Sequence, residues 1–68
     1  MDKEQKKNTR LKEARKAKHL TQKELADMVG VNLQSIYKYE AGIINPKMET
    51  GKKLSKVLGK SLSYLFGN

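Results

Sequence analysis

Between Thr9 and Lys18 the chain sets Leu11 and Ala14 among charged helix formers, with the methylene stem of Lys18 a further turn along the same side. That spacing predicts a first helix over residues 9–18. Ahead of it, MDKEQKKN has no periodic apolar face, so residues 1–8 are expected to form a flexible basic tail before a single domain over residues 9–68. The next helix start is marked twice. Thr21 and Glu24 have capping-box spacing, in which each side chain satisfies an unpaired N–H of the first turn. Leu20 and Leu25 stand at the hydrophobic-staple positions around that box. Leu25, Ala26 and Val29 continue an inward face, and Gly30 is placed to end this second helix in a left-handed cap.

Only Val31 intervenes before Asn32, a favoured N-cap, and Leu33 to Ala41 then carries Ile36, Tyr39 and Glu40 on one side until Gly42. Two short helices joined through a glycine-containing turn have the geometry of a helix-turn-helix. After the loop GIINP, a fourth helix is marked by Met48, Gly51, Leu54, Val57 and Leu58 and ended by Gly59. A short fifth helix follows from Ser61 to Phe66. Strand-like alternation is absent, so the predicted fold is all-α: a compact five-helix domain with its helix-turn-helix at helices 2 and 3.

Composition narrows the class. A chain of 68 residues is one domain that buries roughly 60% of its unfolded surface, so its core is small. It has no cysteine, which excludes disulfides and thiolate metal sites, and no cofactor or metal is expected. Fifteen Lys and Arg against seven Asp and Glu give a net charge of +8, which favours a polyanionic partner, nucleic acid or an acidic membrane surface. No apolar run approaches the roughly 18 residues of a membrane span, and none follows the charged N-terminus as an export signal would. A soluble, cytoplasmic protein is the expectation. One histidine and scattered carboxylates offer no convergent acid, base or nucleophile, so an enzyme with a small-molecule substrate is not expected.

The stretch LTQKELADMVGVNLQSIYKYEAG resembles the helix-turn-helix of the lambda-type repressor and Cro family, including its xenobiotic-response-element-like members. The resemblance rests on Gln22, Ala26, Gly30, Ile36, Tyr39, Glu40 and Gly42, and extends to Arg15, Asn45-Pro46 and the closing LGKSLSYL. It implies a sequence-specific regulator of double-stranded DNA, by family default a repressor, bound as a homodimer to a near-palindromic operator. It also implies an ion pair between Arg15 and Glu40 that orients helix 3. On helix 3, Gln34, Tyr37 and Lys38 lie opposite Ile36 at 100° per residue, with Asn32 and Leu33 at the N-terminal tip. These five are the expected base readers. An amide pairs bidentately with adenine, a lysine reaches guanine O6 or N7, and Leu33 suits a thymine methyl group or packs back on helix 2. Tyr37 meets either a base edge, a phosphate or only solvent. Phosphate contacts are expected from Thr21 and Gln22 at the start of helix 2, where free N–H groups favour an anion, and from Lys23 and Lys47. Lys52, Lys53, Lys56 and Lys60 read as a solvated face.

Two features depart from the family. Gly51 stands on the inner face of helix 4 where relatives carry a large apolar residue, so either another backbone packs close there or the core is thin. Ile43-Ile44 replaces polar loop residues and reads either as a subunit contact or as packing under helix 4. Together with Tyr64, Leu65 and Phe66 of helix 5 they are the dimer candidates, although these aromatics also suit the core. The rival reading is an adaptor that uses the same fold to bind a partner protein without reading DNA. Any effector is expected to act through a partner protein, an antirepressor or a domain outside this sequence. Ala26, at the predicted crossing of the two motif helices, has no room for a longer side chain, where overpacking costs about 1–3 kcal/mol. Ala26→Leu is therefore expected to unfold the domain or displace helix 3, seen as a lowered and broadened thermal transition; an unchanged melt would place the crossing elsewhere.

Overall fold

Helix starts in this chain coincide with side chains that take over free backbone N–H groups. The computed structural model describes residues 7–67 and contains five helices: α1 (Thr9–Ala17), α2 (Gln22–Val29), α3 (Leu33–Glu40), α4 (Met48–Leu58) and α5 (Leu62–Phe66). Asn8, Thr21, Asn32 and Ser61 cap α1, α2, α3 and α5, each accepting from the N–H three residues on. At α2 the capping box is complete: Glu24 N donates to Thr21 Oγ1 at 3.0 Å, and Thr21 N donates to Glu24 Oε1 at 2.8 Å. The start of α4 has no side-chain cap and follows Pro46 directly, with Lys47 extended at the N-cap.

The ends of α1, α2, α3 and α4 share one device. Leu20, Val31, Ile43 and Lys60 each donate a backbone N–H to the carbonyl five residues back, with the preceding residue left-handed. Three of those left-handed residues are glycines, but after α1 it is His19, at φ 59°. At Gly30 the positive φ matters most, because the chain has only Val31 and Asn32 in which to turn from α2 into α3.

The core is built from Leu11, Leu25, Ile36, Leu54, Leu58 and Leu65, with Ala14, Ala26, Val29 and Tyr39 closing it. The helix α2 packs against both α3 and α4, α1 against α3 and α5, and α4 against α5. Ala26 is buried where α2 lies against its neighbours. The start of α1 is tied to α5: Asn8 Nδ2 donates to the Leu65 carbonyl at 2.7 Å, and the Arg10 guanidinium lies 5.2 Å from the Tyr64 ring. Of the tail expected over residues 1–8, residues 1–6 lie outside the described residues, whereas Asn8 serves as the cap of α1.

Three assignments from the hydrophobic pattern are corrected. Lys18 is the exposed C-cap of α1; the inward place beside Leu11 and Ala14 belongs to Arg15, whose charge is neutralised there. Met48 is exposed at the first turn of α4, before that helix meets the core. Gly51 is buried against a side chain and not against another backbone: a Cβ at that position would stand 2.9 Å from Leu62 Cδ2. The missing side chain on α4 is filled from α5. Among the described residues no helix is long and apolar enough to cross a membrane.

A left-handed residue with a Cβ costs roughly 1–2 kcal/mol relative to glycine. His19→Gly is thus expected to stabilise the domain by about 1 kcal/mol, raising Tm by about 4–8 °C for a domain of this size. A Tm below the wild-type value would mean that the imidazole makes a compensating contact.

Candidate nucleic-acid interface

The orientation of α3 is set at its C-terminal end. Glu40, buried on the inner side of α3, accepts from Arg15 Nε at 2.6 Å and from Arg15 Nη2 at 3.3 Å. This is the bidentate fork that guanidinium geometry favours. The same guanidinium donates through Nη1 to the Leu20 carbonyl at 2.7 Å, while Leu20 N donates back to the Arg15 carbonyl at 3.2 Å. Glu40 also accepts from Gln22 Nε2 at 3.0 Å, and its backbone carbonyl accepts from Asn8 N at 2.9 Å. Arg15 and Glu40 together therefore join the start of α1, the connection into α2, the first residue of α2 and the end of α3. Both partners are only 7% exposed, and each carboxylate oxygen and guanidinium nitrogen of the pair has a protein partner.

From that anchored end, α3 presents Asn32, Leu33, Gln34, Tyr37 and Lys38 outward. Among the described residues no side-chain hydrogen bond engages Gln34, Tyr37 or Lys38, so their polar groups face outward uncommitted. Leu33 and Tyr37 are 45% and 57% exposed, large apolar surfaces left in a polar row. Asn32 differs from the others. Its Oδ1 accepts from Ser35 N at 2.9 Å and from Ser35 Oγ at 3.0 Å, so only its amide N–H groups remain for another partner.

The four expected phosphate residues stand in different situations. The Thr21 oxygen is committed as the cap of α2, leaving the hydroxyl proton. Gln22 is half-buried, with one amide hydrogen on Glu40 and the second still available. Lys23 is exposed and lies 3.3 Å from the equally exposed Asp27 one turn on, a weak pair that offsets its charge locally. Lys47 is exposed at the uncapped start of α4. The pattern of apolar positions overlooks Lys12. A cleft of about 210 Å³ between α1 and α3 is lined by Lys7, Asn8, Thr9, Lys12, Gln22, Tyr37, Glu40 and Ala41. It brings a lysine of α1 to the outward residues of α3, a neighbourhood that α1's own periodicity does not encode.

The dimer candidates divide. Leu65 belongs to the core at 2% exposure, so its side chain is withdrawn from any subunit contact, and Phe66 is half-buried against that core. Tyr64 is partly exposed with the cations of Arg10 and Lys60 each 5.2 Å from its ring. Ile43 and Ile44 are both exposed on the loop and not packed under α4. Among the described residues no group of three His, Cys, Asp or Glu side chains is arranged to hold a metal ion.

Comparison with known proteins places this geometry. Residues 11–65 match the family model described as helix-turn-helix. The chain is 41% identical over 56 residues to the SPbeta prophage-derived HTH-type transcriptional regulator YonR of Bacillus subtilis, an alignment covering 82% of this chain and 52% of that protein. It is 41% identical over 58 residues to the cryptic phage CTXphi transcriptional repressor RstR of Vibrio cholerae, covering 85% of this chain and 52% of the repressor. The chain thus spans about half the length of these curated relatives. Among solved structures, the restriction-modification controller protein C.AhdI from Aeromonas hydrophila superposes with a TM-score of 0.77 at 32% identity, covering 87% of this chain and 89% of that one.

Removing one member of a buried ion pair strands the other and costs about 3–5 kcal/mol, whereas replacing both by apolar residues is often close to neutral. Glu40→Leu is expected to lower stability by that amount in a urea titration, and Arg15→Met combined with Glu40→Leu to recover most of it. If Glu40→Leu alone cost under about 1 kcal/mol, Arg15 would have to be solvated in the folded chain, contrary to its burial.

Proposed function

The chain belongs to the Cro/C1-type helix-turn-helix family, and from that premise we propose that it is a sequence-specific DNA-binding transcriptional regulator, a repressor, that lays α3 in the major groove. The observation that carries this reading is the row of exposed, uncommitted side chains on α3, anchored from behind by the Arg15–Glu40 contact. Gln34 pairs with an adenine, Lys38 with a guanine, and Leu33 covers a thymine methyl group. The amide N–H groups of Asn32 complete the reading face, and Tyr37 stands exposed beside it. Thr21, Gln22, Lys23 and Lys47 hold the flanking phosphates, which carry affinity and register without sequence information. The net charge of +8 supplies the salt-dependent part of the binding.

The reading extends to a homodimer on a near-palindromic operator, an arrangement in which two reading helices about 34 Å apart face successive turns of one groove. Exposed Ile43 and Ile44, with Tyr64 and Phe66, form the subunit contact in this reading, while Leu65 supports it from the core. An antirepressor or other partner protein is the route by which a signal releases the DNA.

Selection of bound duplexes from a random pool is expected to return one preferred site with affinity falling steeply as salt rises. With Gln34→Ala, preference is lost at one base pair per half-site, worth about 1–3 kcal/mol, while the other positions are kept. Unchanged preference would move the reading face off Gln34; binding with neither salt dependence nor preference would replace the regulator by an adaptor.

A further inference from the structure

On the strength of the DNA-binding reading above, we propose that the cleft between α1 and α3 is a binding site for a DNA backbone phosphate, with Lys12 of α1 and the Tyr37 hydroxyl as its contacts. The lining of the cleft is chemically suited to a phosphodiester. Its one carboxylate among the described residues, Glu40, is already neutralised by Arg15 at 2.6 Å, so Lys7 and Lys12 leave the cleft with positive charge. Gln22 contributes the amide hydrogen that Glu40 does not use, and Tyr37 contributes a hydroxyl donor. At about 210 Å³ the cleft has room for a phosphate group with part of its hydration shell.

Position argues for DNA as the source of that phosphate. Tyr37 follows Leu33 and Gln34 by one helical turn and lies on the same outward side of α3. A helix about 10–12 Å across fills a major groove about 12 Å wide, so phosphate strands run along both of its flanks. On the flank where α2 begins, the cleft continues directly from Gln22, and the strand passing the start of α2 reaches Lys12 next. This assigns Tyr37 to the backbone and not to a base edge, and adds α1 to the elements gripping the DNA. Lys12 then serves affinity and register, whereas Gln34 and Lys38 serve sequence.

The test compares Lys12→Gln, Tyr37→Phe and Lys56→Gln on the full chain, the last an exposed lysine of α4 as control. All three are surface changes, and thermal melts matching the wild type verify that they fold. The wild-type protein on its selected site gives the reference slope of log affinity against log salt. Lys12→Gln is expected to reduce that slope by about 0.9, the share of one phosphate, and to weaken binding about three- to tenfold equally on all sequences. Tyr37→Phe is expected to weaken binding uniformly without altering base preference, and Lys56→Gln to change neither quantity. The proposal falls if Lys12→Gln loses no more than Lys56→Gln, or if Tyr37→Phe shifts the preferred base at one position. In either case the wild type still binds selectively, which separates this failure from that of the regulator reading, where wild-type binding itself lacks preference and salt dependence.

Discussion

The buried contact between Arg15 and Glu40 is the constraint on which the arrangement of the remaining parts depends. A bare guanidinium or carboxylate in that position would be costly, so each needs the other, and each also needs its additional partners. Those partners lie at the start of the motif, the Leu20 carbonyl before α2 and the Gln22 amide at its start, while the backbone carbonyl of Glu40 accepts from Asn8 N before α1. Such a cluster is directional in a way that leucine packing is not. It fixes the rotation of α3 about its axis and its distance from the start of α2, the two variables that set where the outward residues of α3 point.

Around this anchor the domain is assembled from short helices that could not persist alone, since nucleation is unfavourable and each has only a few turns. Local caps define where each helix begins, and left-handed residues define where most of them stop. Cohesion then comes from a core shared by all five helices, small enough that single side chains carry distinct tasks. Leu62 fills the space that Gly51 leaves open on α4, and the start of α1 closes on α5 through Asn8 and Arg10. The two ends of the folded domain thereby hold one another, which leaves α3 free of any structural task on its outward side.

That freedom gives the outward face its functional meaning. Exposed Leu33, Gln34, Tyr37 and Lys38 contribute little to the stability of the isolated domain, so their identities are open to be set by what they contact. Asn32 is intermediate, because its carbonyl oxygen holds the first turn of α3 while its amide faces outward. Gln22 is shared in the same manner between the buried cluster and the surface. Residues with this double attachment couple the precision of the scaffold to the contact surface, and they occur at the starts of the two motif helices.

Residues 21–42 were legible in the chain itself because their signals are local. A capping box acts over three residues, a left-handed glycine over one and an apolar stripe over a turn, so Thr21, Glu24, Gly30, Asn32 and Ile36 mark α2 and α3 without reference to the rest of the fold. The outward set on α3 follows from the same 3.6-residue period once Ile36 is known to face inward. Relations between helices are not encoded in any such period. Lys18 and Arg15 both lie near the inner side of α1, and only the carboxylate arriving from α3 decides that Arg15 is the one buried. Likewise Gly51 could have faced a backbone, but the packing of α5 brings Leu62 onto it; Leu65 and Tyr64, adjacent in the chain, end one in the core and one at the surface. Lys12 reads as an ordinary solvated lysine until α1 is laid against α3 and becomes a wall of the cleft beside Tyr37. Local hydrogen bonding and periodicity are properties of a few consecutive residues, whereas the neighbours of a side chain across a helix crossing exist only after the whole core has closed.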